Sequence, residues 1–401
     1  MFTFWHLIEV FLNQPLIKST FTYIFEGWFI WAPILAAYLF WESWLNYIHS
    51  VFIRNLSWVL LEIKIPREIM KSPKAMEVVL SALYNIRDGN LIERFWKGFL
   101  RLWYSLEIIS IGGQIHFFIY IQTPLRNLVE SQIYAQYPGA EITEAEDYTK
   151  IISPLDLKGE WNLSGTEFAM LKEEAYPIRT YTEFVEAGKI KEEEKIDPLT
   201  SFLEALGSLK EGEQIWFQIL IRGATKDWKE KAEEVIDELK TQKGASAEVD
   251  PEDAFTRSLL TPGQREVLQA VERNVAKIGF ETGIRAIYLA KKDIFDRERS
   301  GFVRGTIGQY NTQNMNGFKS AKGRSTTVDY FKRYREPRKK RNILKAYQKR
   351  SYFYIPYRHT PFVLNTEALA TIYHFPGRVA ETPTLGRIEA KRGEPPINLP
   401  V

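Results

Sequence analysis

Hydrophobic residues are concentrated in one stretch near the start of the chain, Gly27 to Ile53, in which Glu42 is the only formally charged residue. A helix that crosses a bilayer needs about 20 mainly apolar residues. Tryptophan and tyrosine favour the headgroup level, and here they cluster towards the two ends of the stretch. The pattern predicts a transmembrane helix over 27–53. A buried core helix is the alternative, because Glu42, Asn46 and His49 would be costly in hydrocarbon.

Basic residues follow this stretch more often than they precede it. Lys18 lies upstream, whereas Arg54, Lys64, Arg67, Lys71 and Lys74 lie downstream. Lysine and arginine near a spanning helix stay on the cytoplasmic side. This predicts a protein of the inner (cytoplasmic) membrane with most of its chain in the cytoplasm. The apolar residues 1–26 lack the features of a signal peptide, so the anchor is expected to be uncleaved, either single-pass or a hairpin.

From Trp58 onwards, short apolar runs alternate with helical patterns. Strands are predicted at 58–65, 102–111 and 114–122, helices at 72–84 and 125–137, and a polar edge strand at 140–148. Gly112-Gly113 between two β-rich runs favours a hairpin, because both residues adopt positive φ readily. The order strand, helix, strand, strand, helix, strand is typical of a ferredoxin-like βαββαβ unit.

The second half of the chain shows a related pattern. Helices are predicted at 197–209, 225–240, 261–279 and 293–311, with strands at 213–222 and 280–292. Thr261 followed by proline predicts a helix N-terminus. Residues 168–181 predict a hairpin. This half is interpreted as a diverged repeat of the first, with an insertion.

The predicted fold class is therefore α+β: an N-terminal transmembrane helix followed by two ferredoxin-like units, the second diverged with insertions. The predicted divisions are a first apolar interfacial or membrane segment (1–26), the transmembrane helix (27–53), a ferredoxin-like domain (54–150), an irregular connection (151–197), a second α+β domain (198–320), a basic linker (321–350), and a C-terminal strand with a proline-rich extended tail (351–401).

Composition limits the chemistry. The chain has no cysteine, which excludes disulfides and thiolate chemistry. Its five histidines have no metal-ligand spacing, and its net charge of +3 is close to neutral. Gly317 to Thr326 resembles a phosphate loop, but the glycine spacing is one residue too long and Arg324 replaces the lysine. The sequence predicts no enzyme, no cofactor and no metal site.

One segment, Lys322 to Arg350, is densely basic, with Asp329 and Glu336 as its only acids. It is interleaved with Tyr330, Phe331, Tyr334 and Tyr347. Such a pattern is suited to phosphate backbones, anionic lipid headgroups or a partner protein, while a solvated linker is the alternative. The predicted contact residues are Lys332, Arg333, Arg335, Arg338, Lys339, Lys340 and Arg341.

Several runs resemble a known family, namely those at 61–84, 105–142, 176–186, 197–222 and 363–400. Together they resemble the membrane-anchored N-terminal region of HerA/FtsK-like conjugation and type IV secretion ATPases, in the form typical of small-genome bacteria. In that family the stretch similar to NTEALATIYHFPG leads into the motor domain. Here the chain stops at Val401, where the phosphate loop is expected to follow, so no ATPase residue transfers to this sequence. The resemblance implies a separately encoded motor, or a split or truncated chain.

Two functional hypotheses follow. The first is a non-catalytic, membrane-anchored component of a type IV secretion or conjugation-like apparatus, which docks or scaffolds a separately encoded HerA/FtsK-like ATPase. Its partners would include membrane lipid and, through the edge strand at 140–148, further copies of itself in a homo-oligomer. The alternative is a membrane-associated protein that binds nucleic acid with the basic stretch 322–350.

Overall fold

The computed structural model describes residues 26–66, 71–184, 197–241 and 261–376. These residues form two compact units, one ending at Leu56 and including Asp88–Leu100, the other comprising Ser57–Arg87 and the chain from Arg101. Residues 1–25, part of the predicted irregular connection (185–196), part of the predicted second domain (242–260) and the predicted tail from 377 lie outside the described residues.

The elements are, in chain order, α1 (Trp28–Asn55), β1 (Trp58–Lys64), α2 (Lys74–Ala82), α3 (Leu91–Phe95), β2 (Tyr104–Ile111), β3 (Gln114–Gln122), α4 (Arg126–Gln136), β4 (Glu141–Glu144), β5 (Trp161–Met170), α5 (Tyr181–Phe184), α6 (Thr200–Gly207), β6 (Glu213–Gly223), α7 (Asp227–Thr241), α8 (Pro262–Ala276), β7 (Gly279–Lys291), α9 (Phe302–Ile307), β8 (Phe318–Ser320), α10 (Lys332–Gln348), β9 (Phe362–Asn365) and α11 (Thr366–Ile372). The predicted hairpin glycines are confirmed, with φ of +57° at Gly112 and +89° at Gly113.

The smaller unit contains α1 and α3. Asn90 caps α3 through a reciprocal capping box with Glu93. The indole nitrogen of Trp44 donates to the carbonyl of Phe95 at 3.0 Å, and the rings of Trp41 and Phe95 are 5.7 Å apart. Trp41 and Trp44 of α1 therefore contact α3 directly.

The predicted transmembrane helix is wrong, and with it the predicted inner-membrane location. Among the described residues, no helix is both long and apolar enough to cross a membrane. With 28 residues, α1 has the length, but its composition lacks the necessary hydropathy. Four tryptophans and two tyrosines contribute polar ring atoms, and Pro33, Glu42 and Asn46 lower the hydropathy further. Counting aromatic residues as apolar produced the error.

The larger unit is built on one antiparallel sheet of nine strands. Their order is β4-β1-β3-β2-β6-β7-β5-β8, with β9 paired to β7. Strand β7 is long enough to pair with β6 along one edge and with both β5 and β9 along the other. The register places Ile108 opposite Phe117 and Phe217 opposite Ala286. Apolar cross-strand pairs therefore run through the centre of the sheet.

The predicted division into two ferredoxin-like units is also wrong. Strand β2 is not a free edge, because it pairs with β6 from Tyr104↔Ile221 to Ile111↔Gln214. The two halves thus form one continuous sheet rather than two. Counted outward from the β2–β6 junction, each half has an equivalent strand sequence: β2-β3-β1-β4 on one side and β6-β7-β5-β8 on the other.

Successive residues of a strand point to opposite sides of the sheet, and both faces of this sheet are covered by other elements. On one face the core includes Met76 of α2, Ile133 of α4 and Leu203 of α6. On the other face, Trp216 of β6 packs with Tyr347 of α10. The helix α10 is therefore the main cover of this second face, and its position determines the candidate site.

Candidate functional site

The basic segment 321–350 contains helix α10, and the C-terminal half of this helix is anchored in the core. Ile343, Leu344, Ala346 and Tyr347 are buried against the sheet. The Gln348 amide donates to two backbone carbonyls, those of Thr149 at 2.9 Å and Ile152 at 2.7 Å. The apolar positions of this half follow the spacing of a helix face that packs on one side.

Arg350 ends the helix in an unusual way. Its φ of +45° is left-handed. Its N–H donates to the Tyr347 carbonyl at 2.9 Å, and the N–H of Ser351 donates to the Ala346 carbonyl at 3.1 Å. These two bonds define a Schellman motif, whose left-handed position is normally glycine. An arginine here implies that its side chain compensates for the backbone strain.

That side chain enters a buried charge network on the sheet. Arg350 is 1% exposed and donates from Nε to Oε1 of Glu107 at 3.1 Å. It donates from Nη1 and Nη2 to the two Asp147 oxygens at 2.6 and 3.0 Å. Its guanidinium also lies 4.3 Å from the centre of the Tyr120 ring. Paired and hydrogen-bonded on every side, this charge is held in a single arrangement.

Two tyrosines complete the network. Burial raises the pKa of both Tyr148 and Tyr347 well above the usual value, so both hydroxyls remain protonated. The Tyr148 hydroxyl donates to Glu107 at 2.8 Å and lies 2.8 Å from the Tyr347 hydroxyl. Since Tyr148 has a single proton, Tyr347 must be the donor in that second bond. A continuous chain of hydrogen bonds therefore joins α10 to β2.

The N-terminal half of α10 lies on the surface. Five of the seven predicted contact residues are exposed there and form no ion pair within the described part of the chain: Lys332, Arg333, Arg335, Arg338 and Arg341. The other two have structural roles. Lys339 donates to the Ser325 carbonyl at 2.9 Å. Lys340 donates to Oδ1 of Asn162 at 2.8 Å and pairs with Glu336 at 2.7 Å.

Three aromatic rings lie among these cations. Tyr330, Phe331 and Tyr334 are 74%, 79% and 76% exposed, which is unusual for side chains that gain free energy by burial. The fourth aromatic residue of the segment, Tyr347, is fully buried and unavailable to a ligand. We call the exposed set the basic–aromatic surface; it consists of Tyr330, Phe331, Lys332, Arg333, Tyr334, Arg335, Arg338 and Arg341.

The charges of this surface oppose helix stability. No acidic residue lies in the first turn of α10, and Phe331 at the N-cap provides no side-chain cap. The N-terminus of a helix carries a partial positive charge, so cations there are unfavourable. Pro337 lies inside the helix and removes one further hydrogen bond. An anion bound to this surface would relieve the repulsion and satisfy the free backbone N–H groups.

Sequence reasoning missed the network beneath the surface. Asp147 lies in the stretch predicted to be a polar edge strand, and its partner is Arg350, 203 positions away. Glu107 lies in an apolar run, and no local pattern predicts that it pairs with an arginine. Within the described residues, no group of three or more histidine, cysteine, aspartate or glutamate side chains could hold a metal ion.

The fold and the surface together define an α+β protein with one continuous antiparallel sheet and a cationic helix on one face. The sequence matches the family described as Domain of unknown function (DUF8128) over residues 54–387. The chain belongs to this family. A comparison with curated proteins gives no match.

Proposed function

We propose that the chain is a non-catalytic, nucleic-acid-binding component of a conjugation or type IV secretion-like apparatus, working beside a HerA/FtsK-like ATPase. The observation that supports this proposal is the basic–aromatic surface. Lysine and arginine neutralise phosphates, and exposed aromatic rings stack on bases. The resemblance of the sequence to the N-terminal region of such ATPases supports the choice of apparatus.

The preferred ligand is a single strand. From Lys332 to Arg341 the helix rises about 14 Å, at 1.5 Å per residue, which is enough to contact several successive phosphates. Tyr330, Phe331 and Tyr334 can stack only on bases that are not already stacked in a duplex. A surface with cations alone would suit a duplex equally well; the three exposed rings favour unpaired bases.

Salt dependence tests the charged part of the surface. Fluorescence anisotropy of a labelled dT12 would measure affinity at several salt concentrations. Changing Arg335, Arg338 and Arg341 to glutamine should weaken binding and reduce the slope of log K against log salt by about 2, since each phosphate contact on a single strand contributes about 0.7. The matched control changes Lys226, Lys231 and Lys240, exposed on or next to α7, and should leave the slope unaltered. Equal losses in both triple variants would refute a specific site.

Aromatic substitutions test the stacking part separately. Tyr334→Ala and Phe331→Ala should each weaken dT12 binding by about 1–3 kcal/mol per lost stacked base. Neither change removes a charge, so the salt slope should stay constant. If dT12 binds no more weakly to these variants than to the wild type, the rings are not part of the site.

A second candidate function, docking of the ATPase itself, is favoured by strand β4. This strand pairs only with β1 in the described residues and ends the sheet with exposed Glu141 and Glu144. An unpaired edge can accept a strand from another protein. Sedimentation of the chain with a purified HerA/FtsK-like ATPase would test this, with Glu141→Lys and Glu144→Lys expected to abolish co-sedimentation. Unchanged co-sedimentation of that variant would exclude β4 as the docking edge.

A further inference from the structure

A cavity of about 350 Å³ lies beside α10, between this helix, β5 and the segment 356–359. Its wall includes Glu167, Arg324, Lys339, Asn342, Tyr357 and Arg358. Small-molecule sites typically have volumes of this order or larger, with a few placed polar groups. The volume suits a single planar ring system rather than an extended ligand.

Glu167 is the buried polar group of this cavity. It is 2% exposed, and its Oε2 has no hydrogen-bond partner among the described residues. Three cationic or basic groups surround the carboxylate, but all are beyond hydrogen-bond distance: Arg285 Nη2 and Arg324 Nη1 at 3.7 Å, and His359 Nε2 at 3.6 Å. A buried carboxylate without donors is costly. A ligand that donates a hydrogen bond to Oε2 would therefore be favoured here.

The surroundings of Glu167 also contain unused donors. Arg285 is fully buried, and its Nε and Nη1 have no hydrogen-bond partner in the part of the chain that the structure describes. Burial lowers the pKa of His359, so its ring is neutral and Nε2 can donate or accept. The Glu167 carboxylate accepts hydrogen bonds and lies next to side chains that donate them. A ligand that carries a donor and an acceptor side by side would match both.

The cavity and the basic–aromatic surface share the helix α10. Lys339, Asn342 and Ala346 of α10 line the cavity. Lys332 and Arg335 lie seven and four positions before Lys339, which places them on the same face of the helix. A strand whose phosphates contact Lys332 and Arg335 can therefore direct a base towards Glu167.

We propose that this cavity binds one unstacked nucleobase that bears an exocyclic amino group, with its phosphate at the rim. The inference rests on the proposed nucleic-acid function and deepens it. Glu167 accepts from the amino group, and the Arg324 guanidinium donates to the adjacent ring nitrogen. The exposed Arg358 faces the phosphate, and Tyr357 provides an aromatic wall.

This arrangement discriminates between bases. Cytosine and adenine have an amino donor next to a ring-nitrogen acceptor, which fits the Glu167–Arg324 pair. Thymine has a carbonyl oxygen in place of the amine, and this oxygen would face the Glu167 carboxylate. The base in question is supplied either by a strand or by a free nucleotide.

The test compares dC12 with dT12 by anisotropy, together with the mononucleotides dCMP and dTMP as competitors. The wild-type chain should bind dC12 at least about tenfold more tightly than dT12, the factor expected for one hydrogen bond to a charged group. Glu167→Gln should remove most of this preference. Because this variant leaves Arg285 without its counter-ion, circular dichroism must first show that it is folded.

A second variant keeps the test decisive. Asn342→Trp, at an exposed helix position on the cavity wall, should fill the cavity and abolish the preference without changing Glu167; Asn342→Ala should retain it. In the wild type, dCMP should compete and dTMP should not, and this competition should be lost in Glu167→Gln and in Asn342→Trp. That result would support the inference and identify a free nucleotide as a sufficient ligand.

The outcomes separate the inference from the proposed function. Equal binding of dC12 and dT12 by the wild type, or a preference that survives Asn342→Trp, would overturn the base pocket and leave the surface function intact. If no oligonucleotide binds but dCMP competes off a labelled cytidine nucleotide in a Glu167-dependent manner, the surface function fails and the pocket stands.

Discussion

Replacement of Arg350 by methionine removes the charge that holds the end of α10. In the native chain this guanidinium makes two hydrogen bonds to Glu107, at 3.1 and 3.3 Å, and two to Asp147, at 2.6 and 3.0 Å. Methionine approximates the length of the side chain but satisfies neither carboxylate. The helix itself and its apolar contacts remain.

The expected cost follows from the fate of the two carboxylates. The Asp147 side chain is 21% exposed and can be rehydrated, but that of Glu107 is 0% exposed and cannot. Glu107 would keep its bonds from Ser105 at 2.6 Å, Tyr148 at 2.8 Å and Gln218 at 2.8 Å. Removing one partner of a buried ion pair costs about 3–5 kcal/mol. Because three neutral donors remain, we expect a loss of about 3 kcal/mol.

Urea unfolding, followed by tryptophan fluorescence and far-UV circular dichroism, would measure this loss. The transition midpoint should fall while the m-value stays constant. Lys345→Met, at an exposed position of the same helix, is the matched control and should change stability by less than about 0.5 kcal/mol. Adding Glu107→Gln to Arg350→Met should cost less than the sum of the two single changes, because the second removes the charge stranded by the first.

A loss below about 1 kcal/mol for Arg350→Met would refute the reasoning, since a buried unpaired carboxylate costs more than that. Strict additivity of the two changes would do the same, because it would mean that Glu107 and Arg350 do not interact energetically.

Three further predictions concern stability. Arg350→Gly should be about 1 kcal/mol more stable than Arg350→Ala, because both lose the side chain but only alanine retains the left-handed strain; paired chemical denaturation curves would show this. In Gly283→Ala the new Cβ would lie 2.5 Å from the ring of Tyr352, which should cost about 1–3 kcal/mol by overpacking and lower the melting temperature. Gly305→Ala, whose Cβ would have no atom of the described residues within 4 Å, should leave the melting temperature unchanged. Burial alone would raise the pKa of Asp147, but hydrogen bonds from Arg350 and Thr149 together outweigh burial and lower the pKa. The stabilisation by ionised Asp147 is therefore present above about pH 4 and is lost as pH falls through the lowered pKa. In denaturation series, the difference in free energy of unfolding between wild type and Asp147→Asn should shrink below about pH 4.

Local patterns predicted the regular elements well. The strands at Trp58–Lys64, Tyr104–Ile111 and Glu213–Gly223 are confirmed because alternation or a continuous apolar run marks each one. Thr261 followed by proline predicted the start of α8, and the capping box with Gln264 confirms it. The information needed for these elements lies within ten to fifteen residues of sequence.

The end of β5, one helix and the joining of the two halves of the sheet were mispredicted. Residues 168–170 were assigned to a hairpin, but they end β5 and pair with β8, about 150 residues away. The helix predicted at 293–311 is limited to an α-helix over Phe302–Ile307 with short 3-10 turns on either side. The sequence carries no signal for the pairing of β2 with β6. An apolar strand is expected both where two half-sheets join and in the centre of a smaller sheet, so its composition does not reveal its neighbour.

The candidate site was predicted in part. A density of lysine and arginine marked the stretch 332–341, but only packing separates the exposed cations from Lys339 and Lys340. The burial of Tyr347 follows from helical spacing, because it lies three and four positions after Leu344 and Ile343. Glu167 had no signal at all, since one acid in a strand is ordinarily a solvent-facing residue.

The β2–β6 junction also affects the order in which the chain is made. Strand β2 ends at Ile111, and β6 ends at Gly223, so ribosomal synthesis of the intervening residues takes roughly 5–20 seconds at typical elongation rates. During that time the nascent first half presents an open apolar edge that eight residue pairs will later cover. Such an edge can recruit a strand from a neighbouring chain. A fragment that ends before β6 should therefore aggregate when expressed, whereas a fragment that continues past Gly223 would cover this edge.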